Sequence, residues 1–475
     1  MSEARVHAFN DDVMGDLDAV GLAELMRQGQ VSSTELTEAA IERAERVNLY
    51  LNAIELSCFD EARQLARSPR PGPFSGVPSF IKDNTDIAGH PTRYGSKAVP
   101  ARPASQDGTF AKQYLSLGFN LLGKTRLPEF GFNCSTEFDY QDPTRNPWNP
   151  EYSCGGSSGG SAALVAAGVV PVAHANDGGG SIRIPAACCG LIGLKVTRGR
   201  FVTHEMARSL PINVVCDGVV TRTVRDTAHF VAGAENYWNS PKLSKVGLVE
   251  GPGKKRLRVA LAMDSLTGSP CPQTRRVVEQ TAQLLESLGH RVDEMPNRPV
   301  KQSFVDDFLD YWAFLAFMTG LTGKKTFGDQ FDPKQLDGFT RGLAQRFKRR
   351  GWRLPMVLLR LNRSWQHYVE SMKSYDLILT PVLGHVTPKL GYVSPNVPFE
   401  ELIERLMQYA AFTPINNANG SPAIALPIGL SQEGMPIGVQ LAASHGDERA
   451  LIEIAFELEQ ARPWSRIQQS SLSLN

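Results

Sequence analysis

Between Gly76 and about Thr223 the chain is dense in glycine and small residues, a composition that signals close backbone packing and functional turns. Inside this stretch the small apolar run from Ala162 to Ala175 is broken by Pro171 and is too short to cross a bilayer. It reads as a buried helix leading into a buried strand. Around it, strand-like and helical runs alternate. Gly76-Val-Pro-Ser-Phe-Ile-Lys-Asp83 is a short apolar strand that ends on Lys82, and Leu257–Ala262, Leu377–Thr380, Ile424–Ile428 and Gly438–Leu441 read as further strands. Ser32-Ser-Thr-Glu35 has capping-box spacing ahead of Leu36, Ala40, Ala44 and Val47, and Thr274–Leu288 is a helix closed by Gly289. Arg67–Pro73 holds too many prolines for either element. The alternation predicts an α/β fold with a central sheet. The stretch from about Ser303 to Tyr368 is helical in pattern and rich in Phe, Trp and Tyr. It fits a cap over a site or ordinary amphipathic core helices, and both readings stay open.

Lys and Arg number 50 against 49 Asp and Glu, so charge gives no case for a nucleic acid or an acidic membrane as partner. The local run Arg346-Phe-Lys-Arg-Arg-Gly-Trp-Arg353 reads as a solvated helix end. Seven cysteines without CxxC spacing suit neither a disulfide framework nor a zinc site, and reduced cytosolic thiols are the simplest reading. Met1–Asp12 carries acids and no apolar segment, which argues against a signal peptide. No stretch of about 18 uncharged apolar residues suggests a membrane helix. The expectation is a cytoplasmic protein. No His, Cys, Asp or Glu group shows ligand spacing, so neither metal nor cofactor is expected.

The chemistry concentrates in Gly155-Gly-Ser-Ser-Gly-Gly-Ser161 and Asp177-Gly-Gly-Gly-Ser-Ile-Arg183. A phosphate-binding loop would end in Gly-Lys-Ser/Thr, and no lysine follows here. A dinucleotide fingerprint would follow a strand, which Trp148–Cys154 does not resemble. A flexible linker would not run straight into an apolar helix. Nucleophilic catalysis remains. A serine hydroxyl needs a base within hydrogen-bond reach. None of the nine histidines has an obvious catalytic setting; His174, in an apolar run, and His204, after a turn, read as structural. A buried lysine can serve if its neutral amine is populated. Lys82, ending an apolar strand, is the candidate, reaching Ser181 through an intermediate serine. The glycines before Ser181 suit a loop whose N–H groups converge on an oxyanion. The residues thus point to a serine hydrolase assisted by lysine.

These segments, with Gly193-Leu-Lys-Val-Thr-Arg-Gly-Arg200 and Gly434-Met-Pro-Ile-Gly-Val-Gln-Leu441, resemble the amidase signature family. The interval 181 − 157 = 24 matches the family's spacing between its two catalytic serines. The likeness runs from about residue 17 to about 460 and is weakest between about 230 and 375. It implies a central mixed, twisted β-sheet covered on both sides by α-helices, in a single domain over 1–475. The core motifs lie at about 76–223 and 377–460, with a variable aromatic region at about 300–375. It further implies that Lys82 is the general base, Ser157 a bridging serine on a cis peptide, and Ser181 the acyl-forming nucleophile. The backbone N–H groups of Gly178, Gly179, Gly180 and Ser181 would form the oxyanion hole. Ser158, Asp177 and Arg183 would brace the loop, with Ser161 hydrogen-bonding the same scaffold. Phe132, Asn133 and Cys134 would border the substrate. Many members carry Thr or Ile where Gly178 stands, and glycine there removes no donor. The implied activity is hydrolysis of a small-molecule carboxylic amide. The Ala173–Ser181 stretch resembles hydrolases of cyclic and linear aminohexanoate oligomers, while aryl acylamides, carbamates and fatty amides remain open. A glutamine-hydrolysing subunit of a tRNA-dependent amidotransferase is the alternative. Lys82, Ser157 and Ser181 together argue against a dead binding protein. A homodimer is left open.

Overall fold

The computed structural model describes residues 5–296 and 299–469; the first four residues of the amino-terminal stretch read above lie outside them. The Ser32 capping box forms as its spacing predicts. Its hydroxyl accepts from the Glu35 N–H and the Glu35 carboxylate accepts from the Ser32 N–H, opening the helix Ser33–Leu51. The small apolar run divides at Pro171, as expected, into the helix Gly159–Ala166 and the strand Val172–Asp177.

An eight-stranded mixed sheet forms the centre. Its order is Arg291–Glu294, Arg258–Leu261, Leu377–Pro381, Pro436–Ala443, Ala423–Leu430, Ile192–Lys195, Cys216–Thr221 and Val172–Asp177. The first three run parallel and the remaining neighbours pair antiparallel. Pro436–Ala443 is buried at every one of its eight positions. Successive side chains of a strand face opposite sides, so both faces of the sheet are covered. The helices Arg183–Cys189, Pro272–Ser287 and Glu448–Ala461 pack on these central strands. A second, three-stranded sheet places Asn120–Thr125 between Ile54–Ser57 and Pro78–Lys82. Its Pro78–Lys82 strand lies against Val172–Asp177 at the edge of the large sheet. That junction sets Lys82 beside the start of the Asp177 loop.

The aromatic region folds into three helices, Phe304–Phe327, Gly338–Arg350 and Leu354–Met372. The basic run is not simply solvated. Arg346, Arg350 and Arg353 all pair with Asp310 of the first helix, at 2.9, 3.0 and 2.6 Å, and Asp310 is only 6% exposed. The aspartate lies on a different helix, so spacing within the run could not reveal the pairing. No described helix is long and apolar enough to cross a membrane.

Candidate active site

Every residue of the strand Pro78–Lys82 is buried, and the strand delivers the Lys82 side chain into the protein with no exposed surface. Its Nζ donates to Ser157 Oγ at 2.8 Å, Ser158 Oγ at 2.9 Å and Asn176 Oδ1 at 2.6 Å. Burial lowers the Lys82 pKa to about 7, against the opposing pull of Asp217 and Asp177. Near neutrality the neutral amine is therefore well populated. Ser157 follows a cis peptide at Gly156, as the family resemblance implies. Ser158 also exchanges hydrogen bonds with the Asn176 backbone, at 3.2 and 3.3 Å. Ser161 joins Thr125 of the second sheet to His174 O of the first.

His174 was read as structural, and the structure puts it directly behind the lysine. Its Nδ1 accepts from the Lys82 backbone N–H at 3.1 Å, so Nε2 carries the proton toward Asp217 Oδ1, 3.4 Å away. Burial lowers the His174 pKa, with Asp217 opposing. Asn176 and Asp217 escaped the motif reading. Alternation along Val172–Asp177 puts His174 and Asn176 on one face, which is the signal that could have exposed Asn176.

Asp177 and Arg183 brace the loop between them. Asp177 Oδ1 accepts from Gly180 N–H at 2.6 Å, and Oδ2 from Ile182 N–H at 3.2 Å and Arg183 Nε at 2.9 Å. Arg183 reaches on to Thr413 O, Gln440 Oε1 and Asn417 Oδ1. Asn417 donates back to Asp177. Burial works against the Asp177 charge, but Arg183 and then Asn417 outweigh it and hold the carboxyl at about 2.

The N–H of Gly180, expected among the oxyanion donors, is bonded instead to Asp177 Oδ1 at 2.6 Å. Among the described residues the N–H groups of Gly178, Gly179 and Ser181 meet no acceptor. Gly180 has a positive φ of +133°, and a Cβ there would collide with Thr413 Oγ1 at 2.3 Å.

Ser181 is 7% exposed and lines an apolar pocket of about 870 Å³, open mouth included. Phe132, Asn133 and Cys134 line the same pocket, as do Phe308 and Trp312 from the aromatic region. Gly131 connects the two halves of the site: it lines the pocket, and a Cβ on it would stand 3.0 Å from Ser157 Oγ. Among the described residues no charged side chain lines the pocket. Trp312 donates from Nε1 to Phe132 O at 3.1 Å, meets the Phe132 ring edge-on and stacks on Phe308. A Cβ at position 178 would lie 3.2 Å from the Trp312 ring, which gives the family departure at Gly178 a packing reason. Burial pushes the Cys134 thiol up to about 12 and the Cys188 thiol up to about 11, so neither competes as a nucleophile.

Residues 35–452 match the family described as Amidase. A Mycobacterium leprae protein that carries the provisional name amidase AmiC is 50% identical over 464 residues, covering 98% of this chain and 99% of that one. The 6-aminohexanoate-cyclic-dimer hydrolase of Paenarthrobacter ureafaciens is 34% identical over 476 residues, 94% of this chain and 95% of its own. A solved 6-aminohexanoate cyclic dimer hydrolase superposes with a TM-score of 0.87 at 31% identity, over 97% of this chain and 99% of that chain. With the family matched over most of the chain and relatives matched along almost their whole length, the chain belongs to the amidase signature family and is an amidohydrolase.

Proposed function

We propose that the protein hydrolyses an uncharged carboxylic amide with an apolar acyl part, through an acyl-enzyme on Ser181. The observation that carries the mechanism is the buried Lys82 amine, 2.8 Å from Ser157 Oγ and with its pKa near 7. Neutral Lys82 accepts the Ser157 proton while Ser157 takes the proton of Ser181. The Ser181 oxygen then attacks the amide carbon. The oxyanion is held by the N–H groups of Gly178, Gly179 and Ser181. The proton returns through Ser157 to the leaving nitrogen, the C–N bond breaks, and an amine or ammonia departs. Water then attacks the ester along the same relay and releases the carboxylate. Asp177 and Arg183 hold the loop, and Phe132, Asn133 and Cys134 border the substrate.

The substrate class follows from the wall. A wall with no charged side chain among the described residues offers nothing to the ammonium and carboxylate of glutamine or to the charged ends of a linear amino-acid oligomer. A cyclic dimer of an amino acid has no such ends, so the name of the cyclic-dimer hydrolases agrees with this wall. The amidotransferase reading finds no support in it.

A fluorophosphonate probe and an amide panel test both parts. The probe should label Ser181 in the wild type, label Ser157→Ala slowly and leave Ser181→Ala unlabelled. Neutral cyclic and aryl amides should outperform glutamine in kcat/KM by at least about 100-fold. An adduct on Ser157, Ser158 or a cysteine would overturn the roles, and glutamine as the preferred substrate would overturn the class.

A further inference from the structure

We propose that Cys58, His90 and Glu61 form a second site, separate from the amidase centre, that binds a thiophilic divalent cation of the zinc class. Among the described residues this is the one group of three such side chains whose ligand atoms all lie within 4.8 Å of one another. Cys58 precedes the helix Phe59–Ala66, and its backbone N–H is held by Leu122 O at 2.8 Å. Glu61 lies one turn along that helix. His90 comes from the loop after Lys82, where Gly89 and Ala104 tie the chain to itself through the bond from Gly89 N–H to Ala104 O at 2.9 Å.

The separations suit an ion. Cys58 Sγ and His90 Nδ1 are 3.6 Å apart. Two ligands at ~2.3 and ~2.0 Å around a tetrahedral centre stand about 3.5 Å from each other. Glu61 Oε2 contacts His90 Nε2 at 2.7 Å. That contact puts the ring proton on Nε2 and turns the Nδ1 lone pair toward the sulfur, the arrangement in which a carboxylate orients a metal-binding histidine. The same cavity is lined by Asp107, whose Oδ1 accepts from Ala88 N–H. Lys124 and Arg70 line it as well. The Lys124 ammonium is occupied by Asp83 at 2.9 Å, Pro91 O at 2.7 Å and Thr92 Oγ1 at 2.7 Å. A sulfur and an imidazole nitrogen as ligands select zinc-like ions over calcium or magnesium. On binding, the Cys58 thiol gives its proton to the buffer and the thiolate coordinates, with no change of oxidation state. The rival reading makes Cys58 a free nucleophile with His90 as its base. The Nδ1 lone pair faces the sulfur in either reading, and dependence on the cation separates the two. Sequence reading missed the group because His90 is 29 residues from Glu61 and only the loop fold brings it back.

The test uses the full chain stripped with EDTA and titrated with Co²⁺ alone. A thiolate-to-cobalt charge-transfer band should saturate at one equivalent and disappear on adding Zn²⁺. Cys58→Ser and His90→Gln should lose the band, Glu61→Gln should need roughly 10- to 100-fold more cobalt, and Cys271→Ser should behave as wild type. Zinc at about a hundredfold excess over its Kd should raise the melting temperature of wild type by a few degrees and leave Cys58→Ser unmoved. Amidase turnover should be the same before and after stripping and in Cys58→Ser, which also reports that the variant is folded; should it misfold, His90→Gln decides. A wild type without the band, or a band that survives Cys58→Ser, overturns the proposal. So does fast alkylation of Cys58 that depends on His90 and ignores the cation, which would establish the nucleophile instead.

Discussion

The two walls of the active site are built on opposite principles. On one side Lys82, Asp177 and Arg183 are fully buried, and each is surrounded by hydrogen-bond partners from distant parts of the chain. On the other, Phe308 and Trp312 are half-buried rings that touch through stacking and edge contacts, with one hydrogen bond between Trp312 and Phe132 O. Buried polar groups tolerate little change, because a partner removed leaves a desolvated group unpaired. Aromatic packing is forgiving by comparison, since one apolar shape can replace another. Under the proposed mechanism the difference assigns reaction and selection to separate parts of the fold, with the polar wall setting the chemistry and the aromatic wall free to vary what is admitted.

The comparison breaks most visibly through the lysine. Lys82→Ala and Ser181→Ala should each lower kcat by about 10³-fold or more while an apolar amide still binds. Lys82→Arg should not restore turnover, since a guanidinium does not release its proton at usable pH. Near-wild-type turnover in Lys82→Ala, measured on a neutral aryl amide, would put the base elsewhere.

Stability is the next largest effect. Removing one partner of the buried pair, as in Arg183→Met, should cost about 3–5 kcal/mol in a denaturant titration. The Asp177 carboxyl is depressed in the folded state to about 2. Its stabilisation is therefore present above the unfolded value of about 4 and is lost as pH falls toward 2. Wild type should weaken across that window, and Asp177→Asn should start weaker and lack this component of the slope. Equal slopes in the two proteins would remove the electrostatic account of the brace.

Trp312→Ala sharpens the contrast from the other side. It should raise KM for an apolar amide by about 10-fold and change kcat by less than about threefold. Gly178→Thr should push the Trp312 ring aside and alter the order of preference among acyl groups. A loss of kcat for every substrate in Trp312→Ala would show that the two walls are not separable.

The smallest effect is a shift in a pH profile. Wild-type kcat/KM should rise as pH passes about 7, where Lys82 loses its proton. The Asp217 charge raises the Lys82 pKa, so Asp217→Asn should move that rise to lower pH. A rise left in place would mean that Lys82 does not govern it.

Residues that act through local order were readable in advance. Lys82 at the end of an apolar strand, the triple glycine before Ser181 and the capping box at Ser32 follow from short-range pattern, as does the alternation of strands and helices around a central sheet, whereas the roles of Ser157, Asp177 and Arg183 came from the family resemblance. What the tertiary structure alone decided concerns pairs remote in sequence. Asn176 meets Lys82 across 94 residues and Asn417 meets Asp177 across 240. Trp312 meets Phe132 across 180. Gly180 looked like one more free donor until the Asp177 side chain was placed against its amide. The physical reason is one of range. Backbone propensity, capping and turn geometry act over a few residues and leave their mark on neighbouring letters. The direction of an amide, the face of an aromatic ring and the meeting of Cys58, Glu61 and His90 depend on how separate elements pack, which no short window of sequence contains.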